Sequence, residues 1–196
     1  MYIKGEYTHS ITIEKSEFIC YLKRIDDIDG FNDYLSAIKK RHYDATHHCS
    51  AYLGKDVRRS NDDGEPSGSA GLPILTALEK SGLSDVGAIV VRYFGGIKLG
   101  MGGLIRAYGK AVSETLKIAT FTQEKMMLEY RLTLPYDIAS KIDHLLRTQT
   151  IILNVDYGVD VTYDFLAEKS IDEKIAAYTK GIMPSFIKEL CIEVDV

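Results

Sequence analysis

Two short segments hold most of the residues in this chain that could do chemistry: DDGEPSGSAG at 62–71 and RYFGGIKLGMGGLIRAYGK at 92–110. Eleven of the 16 glycines lie between Gly64 and Gly109. Glycine weakens a fold unless the backbone needs positive φ or something must approach it closely, so this clustering predicts constrained loops at one locus. In the second segment Arg92, Lys98, Arg106 and Lys110 are interleaved with Gly95, Gly96, Gly100, Gly102 and Gly103. Cations neutralise phosphate and bare backbone lets it come close, which suits an anion site. A helix beginning after these glycines adds unpaired N–H groups and a partial positive charge. The simpler reading is a set of tight turns feeding a solvated basic face.

The familiar phosphate-loop signatures are not met. Gly100, Gly102 and Ile105 lack the third glycine of a dinucleotide fingerprint, and Lys110 is followed by Ala111 where a Walker A loop needs Ser or Thr. In the first segment Asp62, Asp63 and Glu65 supply enough carboxylate to hold Mg²⁺ or to act as an acid and base. They could equally accept hydrogen bonds from Arg58, Arg59 or Arg92. Ser67 and Ser69 do not sit in a nucleophile elbow and are expected to cap a helix starting near Gly71. His47 and Cys49 would share one face of a strand, but two ligands make no zinc site. The residues therefore point to an anion or nucleic-acid site of Arg92, Gly95, Gly96, Lys98, Gly100, Gly102, Gly103, Arg106 and Lys110. Its expected border is His47, Asp62, Asp63, Glu65 and Ser67, with no catalytic residue, metal or cofactor.

These residues need a scaffold, and the hydrophobic pattern supplies one. HSITIEK and EFICYLKRI alternate as two strands, and a helix follows from about Ile28 to His42, using Phe31, Leu35 and Ile38. THHCSAYLG reads as a strand, KDVRRSNDDGEPSGSAG as a long polar loop, and LPILTALEKSG as a helix closed by Gly82. VGAIVVRYF is apolar at nearly every position, as in a central strand covered on both faces. GGLIRAYGKAVSETLKIA is a helix with Leu104, Tyr108, Ala111, Val112 and Leu116 on one side; Arg106, Lys110, Ser113 and Lys117 form a strip on the other.

Beyond a boundary near 120–124 the order changes. KMMLEYRLTL predicts a strand, and Ile138, Ile142, Leu145 and Leu146 mark a helix. TIILNVDY and VDVTYDFLAE form a hairpin around Tyr157 and Gly158. Ile171, Ile175 and Tyr178 give a second helical stripe closed at Gly181, and SFIKELCIEVDV is a last strand. This βαββαβ order is the ferredoxin-like split unit. The chain is thus expected to be α+β with two domains, 1–122 and 123–196.

Composition narrows the function classes. With 196 residues, 45% hydrophobic and 27% charged, the chain is too apolar for intrinsic disorder. The net charge of -4 divides as +1 over residues 1–122 and -5 over 123–196, so an anion-binding face belongs to the first part. Three cysteines at unrelated spacings predict reduced thiols, and no run approaches a membrane span, so a cytoplasmic protein is expected.

DDGEPSGSAG at 62–71 and VVRYFGGIKLGMGGLIRAYGKA at 90–111 resemble the signature of the IMPACT/YigZ family, with weaker similarity at KSEFIC (15–20) and DATHHCSAY (44–52). The resemblance implies a first domain like the second domain of a small-subunit ribosomal protein and the fourth of elongation factor G. It implies a tail like the last domain of elongation factor G. Eukaryotic members regulate the translational response to amino-acid starvation through a protein partner, and these folds imply nucleic-acid binding in bacterial members. No catalytic residues come with the family. The expected function is accordingly a non-catalytic factor associated with RNA, the ribosome or a translation factor, and not with a membrane. The alternatives are a metal-dependent hydrolase of phosphate or peptide substrates using the acidic loop, and a protein-interaction module.

Overall fold

The structure is a computed structural model that describes residues 1–196. The chain divides into two compact units, residues 1–123 with 195–196, and residues 124–194.

In the first unit, β1 (Tyr2–Ile3) is followed by β2 (Glu6–Ile13), β3 (Ser16–Arg24), α1 (Ile28–Arg41), β4 (His47–Leu53), β5 (Arg58–Asn61), α2 (Gly71–Ser81), β6 (Val86–Tyr93) and α3 (Gly100–Lys117). Strands β2-β3-β6-β4-β5 form one antiparallel sheet in that spatial order. Strand β6 lies in the middle, which explains its unbroken apolar run. Val86, Ala88 and Val90 pack with Ile74, Leu78, Leu104 and Tyr108 of α2 and α3. Ile89 and Val91 face Phe31, Tyr34 and Ile38 of α1 on the other side. Alternation along β6 puts Arg92 on the α2/α3 face as the last member of the first series.

Part of the expected long polar loop is in fact strand: β5 adds to the sheet edge, with Arg58 to Asn61 opposite Leu53 to Ser50. All four of its side chains are exposed, so it carries no hydrophobic alternation to read. The helix cap also differs from the expectation. Ser67 is exposed, and Ser69 is buried with its hydroxyl unpartnered. The Asp62 carboxylate instead accepts from the N–H groups of Gly68, Ala70 and Gly71 at 2.8–2.9 Å. Being charged, it suits the positive end of α2 better than a hydroxyl.

The second unit contains most of β7 (Phe121–Leu134), then α4 (Tyr136–Gln149), β8 (Ile151–Tyr157), β9 (Val161–Ala167), α5 (Asp172–Thr179) and β10 (Ser185–Asp195). The strands run β10-β7-β9-β8, the order of a ferredoxin-like sheet. Tyr130, Leu132 and Leu134 of β7 pair in register with Phe165, Tyr163 and Val161 of β9, so they share a face, and they meet Ile142, Leu146 and Ile175 in one core. Both helices therefore cover one face. Tyr178 is not part of the α5 stripe, being 53% exposed. Lys180, at φ +57°, caps the helix, with Gly181 next to it at φ +91°. The fold is α+β throughout, and no helix is long and apolar enough to cross a membrane.

Candidate functional site

The two glycine-rich segments meet at one end of the first sheet. Phe18 of β3, Arg92 of β6 and His47 of β4 stand side by side in register, so their side chains share the α2/α3 face. The loop before α2 brings Glu65 onto this row. Arg92 donates from one terminal nitrogen to Glu65 Oε1 at 2.6 Å, and from the other to Ser16 Oγ at 3.3 Å. The Tyr108 hydroxyl of α3 donates to the same Glu65 oxygen at 2.7 Å. The ion pair is almost wholly buried, with side-chain exposures of 5% for Arg92 and 4% for Glu65. The guanidinium lies between the rings of Phe18 and Phe94, 5.3 Å from each centroid. Burial first, then Cys49 and Glu65, push the Tyr108 hydroxyl far above the usual tyrosine range, so it remains a donor.

The neighbouring acidic residues are equally engaged. Burial raises the Asp62 carboxyl, but the three N–H donors at the start of α2 outweigh it and the net shift is downward. Asp63 is raised by burial too, yet Lys39 at 2.9 Å and the His48 N–H at 2.7 Å bring it below its ordinary value. His47 donates from Nδ1 to the Asp63 carbonyl at 2.8 Å, and its Nε2 stands 3.8 Å from Glu65. No group of three His, Cys, Asp or Glu side chains is placed to hold a metal ion.

Two glycines explain how the second segment fits. Gly95 passes so close to the β2–β3 turn that a Cβ would lie 2.0 Å from the Lys15 carbonyl, and its N–H donates to Ser16 Oγ at 3.1 Å. Gly100 has φ +66° and opens α3. The first turn of α3 has neither a side-chain cap nor an acidic residue. A cavity of about 420 Å³ lies here, lined in part by His47, Glu65, Arg92, Phe94, Lys98 and Gly100.

The residues expected to form an anion site separate into two groups. Arg92 is interior, whereas Lys98, Arg106 and Lys110 are exposed and enter no ion pair. Gly96, Gly100 and Gly102 are exposed and Gly103 half-buried. A Cβ built on Gly102 would lie 3.5 Å from the Arg106 guanidinium, which places that cation over the first turn of α3. Of the border residues, His47 and Glu65 line the cavity, Asp62 and Asp63 hold the loop, and Ser67 is exposed. Sequence reasoning missed Ser16, Phe94 and the Tyr108 hydroxyl. Tyr108 reads as an ordinary core residue of its helix, and nothing near Ser16 marks it as a partner of two distant groups.

The Impact N-terminal domain family matches residues 14–116, which include every residue of this cluster. The chain belongs to the IMPACT family. It is 44% identical over 171 residues to the IMPACT family member YvyE of Bacillus subtilis, covering 85% of this chain and 79% of that one. It is 38% identical over 151 residues to the family member YigZ of Escherichia coli, covering 74% of each. A crystal structure of a hypothetical protein, 33% identical, superposes with a TM-score of 0.60 over 95% of both chains. In this IMPACT chain the signature therefore does two things: DDGEPSG supplies a buried carboxylate and a helix cap, and RYFGGIKLG carries the counter-ion and leads into an uncapped helix.

Proposed function

We propose that this IMPACT family protein is a non-catalytic factor that binds RNA, alone or on the ribosome, and acts in the regulation of translation. The observation that carries this reading is a division of labour among charges. Asp62, Asp63 and Glu65 are each committed to donors within the protein. Lys98 and Arg106 are exposed and form no ion pair, beside and over an uncapped helix start, and Lys110 is exposed farther along α3. Such a surface attracts a phosphate backbone without offering a free carboxylate for general-base or metal chemistry.

Anisotropy titrations of labelled single-stranded RNA at several salt concentrations test the reading. Log affinity is expected to fall linearly with log salt, and Lys98→Ala and Arg106→Ala should each reduce the slope by about 0.7. Lys169→Ala, at an exposed lysine of the acidic second unit, should leave it unchanged. Undetectable binding at low salt, or equal losses from Lys169→Ala and Arg106→Ala, rejects the reading.

A further inference from the structure

The cavity at the start of α3 holds more unmet hydrogen-bonding capacity than a structural void needs. The backbone N–H groups of Gly100, Met101 and Gly102 have no acceptor in the protein. Lys98 lies on the cavity wall, and the Arg106 guanidinium stands over the same turn. An uncapped helix start between two cations favours a dianionic group. Arg92, buried in the same wall, keeps its Nε without any partner. A buried unpaired donor on a charged group is costly, so the protein alone leaves this wall short of one acceptor. His47 Nδ1 donates to a carbonyl, which leaves Nε2 as the nitrogen facing outward, and no protein group lies within hydrogen-bonding distance of it, Glu65 Oε1 being 3.8 Å away. A donor and an acceptor without partners on one wall suit the edge of a heterocycle. Glu65, tied up by Arg92 and Tyr108, and Thr46 also line the cavity, and its apolar part includes Phe94, 45% exposed, with Met101 and Leu104.

We propose that this cavity binds a nucleoside monophosphate. The phosphate would sit on the first turn of α3 with Lys98, and the base against Phe94 with its edge toward His47 and Arg92. The ligand is either a free nucleotide or the phosphorylated end of an RNA chain. The second source rests on the RNA-binding reading above; the first does not. An exposed phenylalanine already stacked on a guanidinium is a ready platform for a base.

Titration of the full chain with adenosine 5′-monophosphate, followed by calorimetry and by amide chemical shifts, tests the site. Saturable binding is expected, with the largest shifts at Gly100, Met101 and Gly102. Adenosine and inorganic phosphate should each bind at least about tenfold more weakly, since each lacks one half of the ligand. Phe94→Ala should weaken binding at least about fivefold through lost stacking, and Lys98→Ala about tenfold. Lys169→Ala, at an exposed lysine of the second unit, should have no effect. A preference for 5′-phosphorylated over 5′-hydroxyl penta-adenylate identifies the strand end as the source, and equal binding of the two identifies the free nucleotide. No saturable binding of the monophosphate and no preference for the phosphorylated strand overturns the proposal, even where salt-dependent RNA binding through Arg106 persists. Inorganic phosphate binding as tightly as the nucleotide also overturns it. Nucleotide binding with these variant effects, in a chain whose RNA affinity is indifferent to Arg106→Ala, leaves the cavity assignment standing and removes the RNA reading.

Discussion

At the scale of single residues, Arg92 shows how a charge that looks available can be consumed. It lies near the end of the most buried strand of the molecule, β6, and its parity directs it inward with Val86, Ala88 and Val90. Once there, its charge must be compensated, and Glu65 supplies the counter-ion at 2.6 Å. Removing one member of a buried pair leaves the other unpaired, which typically costs about 3–5 kcal/mol. Glu65→Leu is therefore expected to lower the urea midpoint sharply, while the double variant Glu65→Leu/Arg92→Met should be less destabilised than Glu65→Leu alone. It will not reach wild type, because the buried Tyr108 hydroxyl loses its Glu65 acceptor, at about 1–3 kcal/mol, whereas Ser16 keeps the Gly95 N–H. A Glu65→Leu change worth under about 1 kcal/mol, or strict additivity in the double variant, would show that the pair is not holding the site together.

At the scale of elements, Asp62 is the clearest case of one side chain shaping its surroundings. It caps α2 from outside the helix and fixes the course of the acidic loop through three N–H donors. Its carboxyl titrates below its ordinary value of 3.8, and so does that of Asp63. A depressed folded-state pKa contributes stability that is present above the unfolded value and lost as pH falls through the folded one. Thermal melts should accordingly show a loss of stability setting in below about pH 4, less marked in Asp62→Ala than in wild type. At neutral pH the same variant should be destabilised by about 2 kcal/mol, the scale of a lost charged cap. A variant with unchanged acid sensitivity would assign the acid loss to other groups. Much at this scale is legible in the sequence. Strand β6, helix α3 with its basic strip, and the whole βαββαβ order follow from periodicity, because each has a face to bury. Strand β5 is not legible, since an edge strand with four exposed polar residues has no face to reveal it. The sequence places candidate caps at the serines next to the helix, whereas Asp62 reaches it across a folded loop that sequence distance hides. The cluster around Arg92 was legible as a place, through its glycines and charges. The inward direction of Arg92 required the parity of β6, and Ser16 required the fold itself.

At the scale of the whole molecule, the two units have separate hydrophobic cores. The core of the second unit is built from residues between Tyr130 and Ile175, and those of the first between Ile3 and Val112. Each is closed by its own helices, and in the second unit α4 and α5 both lie on the face of the sheet where β7 and β9 alternate inward. A sheet of four strands with a covered face meets the usual requirement for independent folding, although a unit of this size has only marginal stability in reserve. A fragment spanning residues 121–196, which keeps β7 and β10 whole, is therefore expected to give a mixed α/β circular dichroism spectrum and a cooperative, low-midpoint urea transition. Its dispersed amide resonances should coincide with those of the same residues in the full chain, apart from positions near Phe121 and Thr122, where β1 is lost. A random-coil spectrum from the fragment would mean that the second core is insufficient by itself. The ferredoxin-like order would then describe the topology of that unit without accounting for its stability.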